Sequence, residues 1–255
     1  MIGRRLAKAG RVGVKSREIK LKLEDVKAEI VYHTYQGFDV NTLLVSFGEK
    51  RRVLSTWDGY KKVGYVANTY QPNGLSEITM RNYNEFQAKF PSSLNISRGD
   101  LSFVSTGANM ENVVVCEKSY RELMVSVLAT GGVGNALRTG VDGANWMEWN
   151  GDYVNLLGTI NIILLTNSSL SGGAMARSII TATEAKTAAL QDMDARSSVS
   201  PQNQATGTGT DNIIVVSGKE SDKMILSTGG HTKIGELIGV STKIAVAGAI
   251  KKQAG

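Results

Sequence analysis

The chain has 255 residues, of which 42% are hydrophobic and 20% charged, with Gly frequent at 28 and Pro scarce at 3. This composition fits a folded soluble protein with a substantial core, in one large domain or two small ones. A single cysteine excludes an internal disulfide and a Cys-rich zinc centre, and no apolar run reaches the ~20 residues of a transmembrane helix.

The net charge of +6 is unevenly placed. Arg4, Arg5, Lys8, Arg11, Lys15, Arg17, Lys20 and Lys22 are opposed only by Glu18, so residues 1–22 carry +7 and the remainder −1. A near-neutral body offers no basic face to nucleic acid. The arm is expected to be a solvated leader or an outer strand with Lys on its exposed side; RNA or membrane contact is the alternative. It lacks the apolar core of a signal peptide, so a cytoplasmic protein is expected.

The first half reads as strands. "EIKLKLED" (Glu18–Asp25) alternates polar and apolar residues, the period of a half-buried strand. "AEIVYHTY" and "NTLLVSFG" continue in that style. "RRVLSTWDG" ends in a turn at Asp58-Gly59, and "VGYVANTYQPNG" in another at Pro72-Asn73-Gly74. "LSFVSTGANMENVVVCEK" reads as a hairpin around Gly107-Ala108-Asn109, with Cys116 a buried small side chain.

"ELMVSVLATGGVGNALRTG" then reads as a buried strand, a Thr-Gly-Gly loop and a short helical stretch. Ile160 to Leu165 is short and β-branched, a second buried strand. Met175, Ile179, Ala182, Ala185 and Ala189 recur at three and four, so a helix is expected from Gly172 to Gln191, capped by Ser169 or Ser171. Residues 192–210 form a polar connection without periodicity, of a length that is usually functional or disordered. "DNIIVVSG" is the next buried strand. Ile234, Leu237, Ile238, Ser241, Ile244, Ala245 and Gly248 share one stripe of a last helix, with Lys251 and Lys252 at its C-terminal end. The expected fold class is α+β or α/β: one domain over 23–255, a mixed sheet packed by helices, strand-rich early and built of strand–loop–helix units late. The units at 122–139, 158–190 and 212–250 hint at a duplication without aligning as one.

Known phosphate motifs fail. "TGTGTDN" has no P-loop Lys, "GGHTKIG" has the wrong order, and Leu137 stands where a dinucleotide fingerprint needs its third Gly. His33 and His231 are far apart, and no spacing supports a metal site. What remains is a Thr/Gly loop feeding a strand and a "GGHT" opening a helix. If Thr206–Asp211 and Gly229–Glu236 end at the same edge of the sheet, they line one pocket, where ligands of α/β structures bind. The plain readings stand beside this one: a Thr/Gly turn, His231 as a helix cap, Glu184 as a solvated pair with Arg177, and Asp142 as a turn residue.

"GTINIILLTNSSLSGGAMARSIITATEAKTAAL" (Gly158–Leu190), "TGTGTDNIIVVSG" (Thr206–Gly218) and "GGHTKIGELIG" (Gly229–Gly239) resemble, in order, spacing and wording, the adenosylcobinamide amidohydrolase family (CbiZ). "MVSVLATGGVGNALRTG" (Met124–Gly140) is similar to the family's earlier strand and Gly-Asn segment. Leu54–Tyr70 is more loosely similar to its N-terminal part. The resemblance implies hydrolysis of the amide joining aminopropanol to the corrin ring's propionate side chain. Adenosylcobinamide then becomes adenosylcobyric acid in corrinoid salvage and cobalamin biosynthesis.

The implied partner is a corrinoid carrying its own cobalt, with no further cofactor, protein-bound metal, nucleic acid or membrane; a homo-oligomer is left open. Against that task, His231 is expected as base or acid, oriented by Asp211 or Glu236, with Thr210 as nucleophile. Thr206, Gly207, Thr208 and Gly209 offer backbone and hydroxyl groups to the carbonyl oxygen or the corrin amides. Asn135, Asn161, Asn167, Glu184, Gly230 and Thr232 are further candidate substrate contacts, and Trp57, Tyr70 or Trp146 candidate apolar surface. A non-catalytic corrinoid-binding or delivery module is the competing reading; release of aminopropanol separates the two. An RNA-binding basic arm is a third, with salt-sensitive affinity.

Overall fold

The computed structural model describes residues 15–144 and 158–255; the first part of the basic arm and Trp146 lie outside the described residues. The elements run β1 (Ser16–Ile19), β2 (Val26–Tyr35), β3 (Phe38–Ser55), β4 (Gly59–Tyr70), α1 (Leu75–Arg81), α2 (Tyr83–Ser93), β5 (Leu101–Thr106), β6 (Val114–Tyr120), β7 (Leu123–Gly131), β8 (Ile160–Thr166), β9 (Ser169–Leu170), α3 (Gly172–Asp192), β10 (Asn212–Val216), β11 (Met224–Ile225) and α4 (Lys233–Ala254). One curled mixed sheet has the order β1-β2-β3-β10-β8-β7-β6, with β4 added to β3 and β5 to β4; β9 and β11 pair apart from it. The chain is thus a single mixed α+β domain.

Strand β8 shows why the layers form. Its seven residues, INIILLT, are all buried, and successive side chains leave opposite faces of a strand. Ile160, Ile162 and Leu164 pack under α3 and α4. Ile163 and Leu165 point the other way, into a core shared with Ile30, Leu43, Val45, Val53 and Val66 of β2, β3 and β4. A third core lies beyond, where Phe86 and Phe90 of α2 meet Leu44, Ala67, Leu101 and Phe103. Helices therefore cover both outer faces, and the two halves of the curled sheet pack against each other between them. Strand β3 links the halves. It pairs with β2 over Phe38–Phe47 and with β10 over Val53–Ser55, and its pairing with β4 shifts register between Ser46 and Arg51.

The helix stripes fold as their spacing predicts. On α3, Met175, Ala182 and Ala189 are buried, and Ser171 is the cap, accepting from the Ala174 amide at 3.1 Å. On α4 the cap is Thr232, whose hydroxyl accepts from the Gly235 amide at 3.0 Å, and not His231. Ile244 is exposed while the rest of its stripe faces the core or its margin.

Four local expectations change. The strand expected over Glu18–Asp25 stops at Ile19: the chain turns so that Leu23 is buried, and β1 becomes the outermost strand. No hairpin joins β5 and β6. Asn109 accepts from the Glu111 amide and opens a 3-10 turn whose Met110 is fully buried, so the chain crosses over: β5 pairs with β4 in parallel, and β6 with β7. The stretch after Gly132 is not helical, because Leu137 exchanges backbone hydrogen bonds with Thr206 and Gly207. Without that helix the first unit of the hinted duplication is incomplete. Helices α1 and α2 are not among the expected elements, although Tyr83, Phe86 and Phe90 recur at three and four; aromatic packing of these three holds α2 down. Among the described residues no helix is long and apolar enough to cross a membrane.

Candidate active site

The loop Thr206–Asp211 closes over the starts of β8 and β10, and its alternation of Thr and Gly has a structural cause. Asp211, the residue before β10, turns its carboxylate inward. Oδ1 accepts from the Ile160 amide at 3.0 Å and from the Thr208 hydroxyl at 2.5 Å, and Oδ2 accepts from the Thr208 amide at 3.2 Å. Oδ2 also pairs with Lys186 Nζ, the two side chains being 13% and 7% exposed. Gly207 lets the backbone pass this ion pair: a Cβ there falls 2.5 Å from Asp211 Oδ2 and 2.7 Å from Lys186 Nζ. The Thr208 and Thr210 hydroxyls lie 3.1 Å apart, and Thr210 donates to the Gly158 carbonyl at 2.8 Å. Thr206 faces the neighbouring loop, where its hydroxyl accepts from the Thr139 amide at 2.9 Å.

Asn135 completes the cluster. Its Nδ2 reaches Thr210 Oγ1 at 3.5 Å, while its Oδ1 is buried with no hydrogen-bond partner among the described residues. Gly158, at φ +105, sits against that carboxamide with no room for a side chain. Thr159 donates to the Thr210 carbonyl at 2.6 Å and, with Gly158, forms part of the wall of a cleft of about 320 Å³. The other walls are Gly132–Gly134, Thr106–Ala108 and the end of α4 at Ile250 and Gln253. The hydroxyl–carboxylate–ammonium chain Thr210–Thr208–Asp211–Lys186 therefore lies directly behind this wall. Asp142 ties a supporting loop in place. The Arg138 amide and the Ser197 and Ser200 hydroxyls donate to it and hold its carboxyl below the usual range.

Not every expected residue converges here. Thr206–Asp211 and Asn135 do. Asn161 is adjacent but is consumed inside the sheet, its Nδ2 donating to Asn68 Oδ1 and to the Ser105 carbonyl, each at 2.9 Å. The "GGHT" segment does not share this edge. Lys233 lies over the Tyr120 ring, opposite Leu123 at the start of β7, whereas Asn161 pairs with Thr130 near its end. Seven residues of strand separate the two, about 23 Å at 3.3 Å per residue. His231, Glu236, Gly230 and Thr232 stand at that far end. His231 is exposed, and Glu236 pairs with Lys233. Asn167, after β8, is occupied by the Met124 amide and the Glu122 carbonyl. Glu184 is exposed on α3, Trp57 packs edge-on to Tyr83 at 4.9 Å between centroids, and Tyr70 does not line the cleft. Among the described residues no group of three His, Cys, Asp or Glu side chains is placed to hold a metal ion.

Lys186 is not among the residues expected from the sequence at this site. Its signal is nonetheless in the spacing: it falls four after Ala182 and three before Ala189, a cation on the apolar stripe of α3. A buried Lys needs an anion, and Asp211, expected from the sequence to orient His231, is that anion instead.

A family model described as adenosylcobinamide amidohydrolase matches residues 25–255. An uncharacterized protein of Methanocaldococcus jannaschii is 40% identical, the alignment covering 91% of this chain and 96% of the relative. A crystal structure of a Pyrococcus horikoshii protein aligns over 94% of this chain and 84% of its own with a TM-score of 0.41 and 12% identity, too distant to bear on the chemistry.

Proposed function

We propose that this chain, which belongs to the adenosylcobinamide amidohydrolase family, hydrolyses the aminopropanol amide of adenosylcobinamide, with the Asp211 cluster as its reactive centre. The match over nearly the whole chain carries the reaction class. The convergence of Lys186, Thr208, Thr210 and Asp211 beside a cleft supports the location.

The candidate nucleophile is the Thr210 hydroxyl, which meets a substrate in the cleft only when the Gly158–Thr159 wall in front of it gives way. The hydroxyl proton turns from the Gly158 carbonyl toward Thr208 Oγ1, 3.1 Å away, and passes there as the Thr208 proton passes to Asp211 Oδ1 at 2.5 Å, with Lys186 paired to the carboxylate. Thr210 Oγ bonds to the amide carbon, and the carbon–nitrogen bond breaks as the proton returns to the leaving amine. Water then cleaves the Thr210 ester, giving adenosylcobyric acid and free aminopropanol, and restores the hydroxyl. Asn135 orients Thr210 through its Nδ2. His231 has no part in this scheme, standing at the far end of the sheet. The protein acts on a corrinoid that brings its own cobalt, so the chemistry needs no other cofactor.

The test is incubation of purified protein with adenosylcobinamide, read by chromatography and mass. Release of aminopropanol with formation of the cobyric acid supports the proposal. A corrinoid that binds and stays whole overturns it in favour of a binding or delivery module.

A further inference from the structure

The end of the sheet opposite the Asp211 cluster encloses a second cavity of about 380 Å³, between the carboxyl ends of β8 and β10 and the turn that follows β1. Arg51 of β3 projects into it. Arg51 lies opposite Val63 and two residues before Val53, on the face that lines the core between the sheet halves. It is 5% exposed, and among the described residues its guanidinium makes no hydrogen bond or ion pair; its Nε is fully enclosed without an acceptor.

The surrounding polar groups are already engaged. Asp25 pairs with Lys219, and Asp222 accepts from the Lys219 amide at 2.6 Å. Asn167 and Thr166 are tied to Met124, and Ser217 Oγ accepts from the Leu170 amide at 2.9 Å. Glu24 is exposed. The Arg51 charge acts on Asp25, after Lys219 the next group holding that carboxyl below its usual range, but no hydrogen bond or close ion pair joins the two, and a buried cation left short of such a partner costs several kcal/mol. A planar guanidinium is matched by the two oxygens of an oxyanion. The cavity also lies where parallel strands end, a common place for ligands, and its volume is within the ~300–1,000 Å³ of small-ligand sites.

We propose that this cavity binds a compact oxyanion, a phosphate or carboxylate group, held by two parallel hydrogen bonds from the Arg51 guanidinium, on a wall where Lys22 and Lys219 stand beside Glu24, Asp25 and Asp222. The site does not rest on the amide-hydrolysis reading and is tested without turnover. Inorganic phosphate and acetate are each titrated into the full chain at constant ionic strength, with chloride as the balancing ion. The enclosed Arg51 Nε–H resonance is followed by NMR and identified by its loss in Arg51→Gln. The expected result is a saturable shift of that resonance and a rise in melting temperature, both weakened about tenfold or more in affinity by Arg51→Gln. Whichever anion acts at lower concentration names the source. Should Arg51→Gln fail to fold, Arg51→Lys keeps the charge, loses the fork and is expected to bind more weakly. Asp25→Asn, which removes a nearby competing carboxylate, is expected to leave binding intact or stronger. Absence of a saturable shift with either anion overturns the proposal. So does a loss of the Arg51 environment in Asp25→Asn, which would make Asp25 the partner of Arg51 in solution.

Discussion

Gly207→Ala tests the geometry of the Asp211–Lys186 pair with a single methyl group. The backbone at Gly207 is not left-handed, so alanine is conformationally allowed there. On that ground alone the change would stabilise by about 0.4–1 kcal/mol, through the unfolded chain. The new Cβ, however, falls 2.5 Å from Asp211 Oδ2 and 2.7 Å from Lys186 Nζ, closer than any ordinary contact. Neither atom has room to retreat. Asp211 is fixed by the Ile160 amide and by Thr208, and the Lys186 side chain is 7% exposed. Overpacking of this kind costs about 1–3 kcal/mol, so the net loss is about 1–2 kcal/mol, or a fall of ~2–8 °C in melting temperature for a chain of this size. Thermal melting by circular dichroism reads it, with Gly143→Ala as control, since nothing lies within 4 Å of a Cβ there. Gly207→Ala melting at or above the wild type would refute the close approach and with it the reason for glycine at 207.

Thr210→Ala should lower aminopropanol release about 10³-fold while Thr210→Ser retains much of it; equal loss in both would point to a packing role for Thr210. His231→Ala should leave turnover unchanged, and a collapse of kcat would return the chemistry to the far end of the sheet. Asp58 gives a pH prediction. Burial opposes its ionisation, but hydrogen bonds and charge from Lys61 and Arg98 outweigh that and hold its carboxyl below the usual range. Its contribution is therefore present above the unfolded-state value near 3.9 and is lost as pH falls through the lower folded value. Asp58→Asn should cost about 2–3 kcal/mol at pH 7, less than a fully buried pair because Arg98 and Lys61 are partly exposed. The gap to wild type in denaturant melts followed by tryptophan fluorescence should close below about pH 4; a gap independent of pH would rule this account out.

Elements with a long or strict period were legible in the sequence. The stripes of α3 and α4, and the apolar runs Ile162–Leu165 of β8 and Ile213–Val216 of β10, come from burial on one face or on two, which residue order alone records. Pairing was not legible. β5 and β6 look like a hairpin because they are neighbours in sequence, but the buried Met110 sends the chain across the core. Asp58 reads as a turn residue before Gly59, and it is one. What the sequence cannot display is that Arg98, Ser102 and the Phe103 amide, some forty residues on, fold back onto its carboxylate. The same holds at the candidate site. The loop Thr206–Asp211 was visible as an oddity of composition, whereas its pairing with Lys186 depends on α3 lying over the start of β10. "GGHT" does not lie beside it, because α4 runs along β6 and β7 and carries its first turn to the opposite end.

The 18-residue β3 has a mechanical consequence. One uninterrupted backbone segment supplies hydrogen bonds to β2 at one end and β10 at the other, with β4 alongside both. Neither half of the curled sheet can melt without stripping part of β3 from its partners in the other, so local openings that reach this segment become global ones. The oxyanion cavity beside Arg51 and the loop over Asp211, at opposite ends of the domain, therefore share one cooperative unit, and a ligand holding either end slows the unfolding of both.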